Sequence, residues 1–113
     1  MSKFEPSPPE LIARFDAAAA RHPEAVRRKM FGYPALFVGG NLTTGLFADQ
    51  WMIRMASADL AELVILPGAG PFSPMGRTMT GYGIVPADVV ADDTALDGWI
   101  ARAIAHVRTL PPK

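Results

Sequence analysis

The chain has 113 residues, with 11 basic side chains set against 11 acidic ones and no cysteine. That length suits one domain, and 50% hydrophobic with 19% charged residues describes a chain with a core, neither disordered nor a coiled coil. Zero net charge argues against a dedicated nucleic-acid binder, and the absence of cysteine excludes disulfides, iron–sulfur clusters, zinc–thiolate sites and thiol catalysis.

The first ten residues lack an apolar stretch and do not read as a secretory signal. Ser7-Pro8-Pro9-Glu10 fits a capping box, with Ser7 as N-cap and Glu10 at the third helical position. Leu11, Ile12, Phe15, Ala18 and Ala19 then follow the helical period, predicting a helix over 8–21 that Pro23 ends. Residues 26–55 change period. Short β-prone runs alternate with breaks rich in Gly, Asn and Asp, which predicts an antiparallel meander of three or four strands. The uncharged run Met30 to Ala48 is nineteen residues, long enough to span a membrane, but its glycines, Pro34 and Asn41 read as strands and turns. A soluble, cytoplasmic chain with no membrane partner is the expectation.

A second helix over 57–66 starts from Ser57 as N-cap, with Leu60, Leu63 and Val64 on its buried side. Residues 67–76 hold three prolines and three glycines and read as a loop. One or two strands follow over 78–85, where Gly81-Tyr82-Gly83 leaves little bulk on one face and permits a bulge or close approach by a helix. A last helix over 93–109 buries Leu96, Trp99, Ile100, Ala103, Ile104 and Val107. The order α-βββ(β)-α-β(β)-α predicts an α+β two-layer sandwich, one domain over 1–113, with an antiparallel sheet packed by N-terminal, middle and C-terminal helices.

Chemistry-bearing patterns are few. His22 and His106 sit near helix C-termini, where the macrodipole favours a cation, and no ligand type lies at i+3 or i+4 to build a metal site. Asp88, Asp92, Asp93 and Asp97 lack the spacing of a calcium loop and read as caps and a solvated helix start. No serine lies in G-x-S-x-G. Gly68-Ala69-Gly70 fails the dinucleotide fingerprint, because residue 73 is Ser and a helix, not a strand, precedes it. No enzyme activity and no cofactor are therefore expected. Arg27-Arg28-Lys29 is the one basic cluster. On a strand Arg28 faces away from its neighbours, so the run reads first as a charged sheet edge and second as a contact for phosphate or an acidic partner.

Arg28-Lys29-Met30-Phe31-Gly32-Tyr33, followed by an apolar strand and the Gly40-Asn41 turn, resembles the TfoX N-terminal domain family. The resemblance continues through Leu46-Phe47, Trp51 to Met55, Leu66-Pro67-Gly68, Pro71-Phe72 to Met75, Met79, Gly81-Tyr82 and Trp99. It implies an α+β domain with an antiparallel sheet and a regulatory role linked to natural competence, and it brings no catalytic motif. The family's namesake carries a second, C-terminal domain, and this sequence is expected to hold only the first.

Three functional readings follow. The leading one is a non-enzymatic domain that acts through protein contacts, with Arg27, Arg28, Lys29, Phe31, Tyr33 and Arg54 as contact candidates. The second is a small-molecule site or enzyme near the Pro/Gly loop, built on Phe72, Met75, Arg77 and Tyr82. Direct nucleic-acid binding through Arg27 to Lys29 is third. A sheet edge or apolar face left uncovered by helices would favour a homodimer.

Overall fold

The computed structural model describes residues 5–113. The reading that no secretory signal is present rests partly on residues 1–4, outside that range. In chain order the elements are α1 (Pro9–Arg21), β1 (Val26–Met30), β2 (Tyr33–Val38), β3 (Asn41–Phe47), β4 (Gln50–Arg54), α2 (Ser57–Val64), β5 (Gly70–Pro71), β6 (Tyr82–Ile84), α3 (Ala87–Val90) and α4 (Asp93–Val107). The strands form one antiparallel sheet in the order β1-β2-β3-β4-β6-β5, and the helices pack against it. This is the α+β architecture that the alternation of periods implied.

The details depart from the sequence reading at several points. No capping box forms at Ser7: Pro8 occupies the N-cap without a side-chain bond, and the Ser7 hydroxyl is buried without a hydrogen-bond partner. Ser57 is the first helical residue of α2, and Ala56 holds the cap. That helix stops at Val64, two residues short of the expected end. The segment expected as a plain loop over 67–76 contains β5 and a single 3₁₀ turn at Pro74–Gly76, and the expected strand over 78–85 shrinks to three residues. Helix α3 was not foreseen, because four residues after Pro86 are too few for a periodic signal. At α4 the Asp92 carboxylate accepts the amides of Thr94 and Ala95, an N-cap bond.

Register decides which side of the sheet is which. Leu36, Thr44, Ile53 and Gly83 pair across β2, β3, β4 and β6 and so share one face. That inner face takes the helices. A Cβ at Gly83 would lie 2.8 Å from Leu60 and 3.1 Å from Leu63, so the missing side chain is the seat of α2. Phe15 of α1 lies against Trp51, with ring centroids 5.0 Å apart, and both are buried together with Leu96, Ile100 and Ala103 of α4. The Trp51 indole N–H donates to the Thr44 hydroxyl at 2.8 Å, and that hydroxyl donates to the Met52 carbonyl at 2.7 Å.

Polar contacts tie the helices together at their ends. Arg21 Nε donates to both Asp97 oxygens at 2.9 Å, and His22 Nε2 lies 3.1 Å from Asp97. His22 therefore holds α1 on α4. The C-terminal residues fold over the β2–β3 turn, where the Lys113 amide donates to the Gly39 carbonyl and Asn41 donates to the Pro111 carbonyl. Gly40 has φ +80, and a Cβ there would come within 2.6 Å of the Lys113 carbonyl oxygen, so both backbone and space demand glycine.

Thr44→Val keeps the shape of a fully buried residue but leaves the Trp51 N–H without an acceptor. The expected loss is about 1–3 kcal/mol, the usual penalty of a buried unsatisfied donor. Denaturant titration should show a lower midpoint at an unchanged slope.

Candidate functional site

The face of the sheet opposite the helices holds Ala35, Gly45, Met52 and Ile84, a row fixed by the same register. No helix covers it. The connection from β5 to β6 folds over it instead, held by the Phe72 amide to the Tyr82 carbonyl at 3.4 Å and by the Met79 amide to the Phe72 carbonyl at 2.9 Å. Phe72 is buried edge-on against Phe47, with centroids 5.8 Å apart, and Phe47 in turn lies 5.4 Å from Tyr33. Between this connection and the β1–β2 turn lies an apolar basin of about 340 Å³, lined by Met30, Phe31, Leu42, Leu46, Phe47, Met52, Phe72, Pro74, Met75 and Met79. Gly45 seats Met52 of that lining closely: a Cβ there would meet Met52 and Ala35, each at 3.1 Å.

Two rim residues have unusual backbones. Phe31 and Met75 have φ of 55° and 54°, in the left-handed region, and each precedes a glycine, Gly32 at 84° and Gly76 at 82°. Phe31-Gly32 is a hairpin turn with both central residues at positive φ, where Asn-Gly is the favoured pair. A bulky side chain in this region costs roughly 1–2 kcal/mol. Both side chains nevertheless remain largely exposed, Phe31 at 67% and Met75 at 72%.

The sequence-derived candidates separate in space. Arg27 turns to the helix layer and pairs with Asp16 at 2.7 Å. Arg28 faces the other way, its guanidinium 5.9 Å from the Phe37 ring centroid, so the basic run does not form a single patch. Lys29 is exposed on the edge strand. Tyr33 is buried and donates its hydroxyl to the Glu5 carbonyl, which makes it a structural residue more than a contact. Phe72 and Met75 do line the basin, whereas Arg77 and Tyr82, placed with them by sequence, do not. Tyr82 pairs with Arg54 across β4 and β6, the guanidinium 5.7 Å from the ring centroid.

Burial pushes the Tyr82 phenol above the ordinary tyrosine range, and the charge and hydrogen bond of Arg54 offset only part of that rise.

Leu42, Leu46 and Phe47 were missed as site residues, and Met30, Met52 and Met79, on methionine-rich strands beside the loop, read as core more than as lining. A usable signal was present: Leu46-Phe47 and Trp51 to Ile53 are apolar on both alternating positions, the pattern of strands covered on both faces.

A second depression of about 540 Å³ lies between the start of α1, the β3–β4 turn and α3, with Glu10, Arg14, Asp49 and Gln50 on its walls. It is open and mixed in polarity. Among the described residues no group of three or more His, Asp or Glu could hold a metal ion, and no helix is long and apolar enough to cross a membrane.

A helix-backed antiparallel sheet whose other face carries a methionine-rich basin defines a small α+β domain with a surface built for apolar contact. The chain belongs to the TfoX N-terminal domain family, whose model matches residues 17–107. No curated protein and no solved structure matches it.

Two expectations follow from this geometry. Met75→Asn suits the left-handed backbone, so it should raise stability by about 1 kcal/mol in a denaturant titration, opposite in sign to the usual loss of an apolar side chain. The chain has two tyrosines. In an ultraviolet phenolate titration, Tyr82 should ionise above about pH 10, and Tyr82→Phe should remove that component. Because its pKa is raised by folding, the contribution of Tyr82 to stability is present below the unfolded value and fades as pH climbs through the folded one.

Proposed function

We propose that the domain is a non-catalytic regulatory module of the cytoplasm, of the competence-linked kind its family suggests, working by docking a partner protein on the outer face of its sheet. One observation carries this reading: an almost wholly apolar basin whose rim residue Met75 is held exposed on a left-handed backbone. Contiguous apolar surface on a folded domain marks an interaction site. Methionines supply a lining that can re-pack around different side chains, and four of the six in the chain, Met30, Met52, Met75 and Met79, line this basin.

A small-molecule site is the second reading. The volume of the basin, about 340 Å³, reaches the lower end of ligand pockets. Against it stands the scarcity of polar groups in the lining to orient a ligand.

Site-specific photo-crosslinking in the producing cell tests the first reading. A benzophenone side chain at position 75 should give one discrete protein adduct, and the same group at Ala105, exposed on α4, should give none. Absence of an adduct at 75, or equal labelling at both positions, overturns it.

A further inference from the structure

Charge is distributed unevenly between the two layers. None of the six strands contains Asp or Glu, and neither does the connection over 72–81 that crosses the outer face. The helices and their caps hold Glu10, Asp16, Asp59, Glu62, Asp88, Asp92, Asp93 and Asp97, and the connections hold Glu5, Glu24 and Asp49. On the helix side three arginines are paired, Arg21 with Asp97, Arg27 with Asp16 and Arg102 with Asp59 and Glu62, while Arg14 and Arg108 have no ion pair among the described residues.

The cations of the outer face are handled differently. Arg28 lies over Phe37 and Arg54 over Tyr82, so each is positioned by an aromatic ring without a carboxylate. A ring fixes the direction of a guanidinium and leaves its charge uncompensated. Phe37 pairs with Leu42 of the basin, and Arg54 is on the same face as Met52, two residues away. Arg77 is exposed two residues after Met75. Arg28 and Arg54 thus stand on the sheet face that carries the basin and Arg77 on the connection that crosses it, and none of the three has an acidic partner among the described residues.

Given that the basin receives a protein, the reading proposed above, we infer that the partner segment is an acidic amphipathic helix. Its apolar side chains at i, i+3 or i+4, and i+7 fill the methionine-lined basin, and its carboxylates meet Arg28, Arg54 and Arg77. A basic segment would be repelled by the same three groups. A nucleic-acid backbone would meet the cations but would lie over an apolar floor that offers no hydrogen bonds.

Three labelled peptides of roughly sixteen residues test this, with Leu at the anchor positions and Glu, Gln or Lys on the flanks. Fluorescence anisotropy with the full chain should show the Glu peptide binding about tenfold tighter than the Lys peptide, the gap narrowing as salt is raised. The exposed pair Arg28→Glu with Arg77→Glu should invert the order while the Gln peptide stays within about twofold. Met75→Glu should weaken the Glu peptide most. Equal binding of all three peptides by the native chain overturns the acidic partner and leaves the docking reading intact. Binding of none overturns both. Saturation by a fatty acid without peptide binding makes the basin a small-molecule site, and a dimer that Met75→Glu dissociates makes the occupant a second copy; either result overturns the inference. These outcomes are read on the native chain even where the double variant does not fold.

Discussion

The register of the β3–β4 hairpin is the constraint from which the rest of this structure follows. Trp51 stands opposite Leu46, and its indole N–H reaches back to Thr44, whose own hydroxyl is bound to the Met52 carbonyl. A slip of one residue would bring Met52 to the helix layer and drive Trp51 outward, inverting both faces at once. The buried hydrogen bond and the Phe15–Trp51 contact oppose that slip together. With register fixed, Leu36, Thr44, Ile53 and Gly83 receive the helices, and Ala35, Gly45, Met52 and Ile84 form the other surface.

From this division comes a domain with two unlike sides. The helix side is closed: its side chains are large and buried, and Arg21, Arg27 and Arg102 are matched to carboxylates. The outer side is half closed, covered only by a connection that carries Phe72, Met75 and Met79. The missing side chain at Gly45 is what seats Met52 beneath that connection, since a Cβ there would come within 3.1 Å of the Met52 Cε. The two left-handed rim residues belong to the same economy of shape, since tight turns at Phe31-Gly32 and Met75-Gly76 bring two hairpin tips to opposite edges of one basin.

Family membership and geometry bear on different questions. The match over residues 17–107 gives the lineage of the fold. The proposed docking role rests instead on the basin, and the charge sign of the partner rests on where Arg28, Arg54 and Arg77 stand relative to it. The basic run at 27–29 illustrates why sequence proximity misleads here. Alternation along a strand sends Arg27 to Asp16 and Arg28 to Phe37, so adjacent residues serve opposite layers.

Local chemistry was enough to write the element order into the sequence: the helical period from Leu11 to Ala19, the Gly-Asn turns of the meander, and the Asp92 cap of the last helix are all short-range signals. Short-range signals also produced the errors. Ser7 and Ser57 have capping chemistry, but the helices start one or two residues away from where each would act, because docking of the apolar stripe outweighs a single cap bond. The site lay further from reach. Phe72 and Met75 were legible as unusual residues in a Pro/Gly loop, whereas Met30, Leu42, Phe47 and Met52 are spread over three strands, β1, β3 and β4. The sequence by itself determined the long helices, the antiparallel meander and the family. Only the tertiary structure decided which face the helices take and that Met30, Met52, Met75 and Met79 line one basin, because strand pairing and register are long-range contacts that no local pattern encodes.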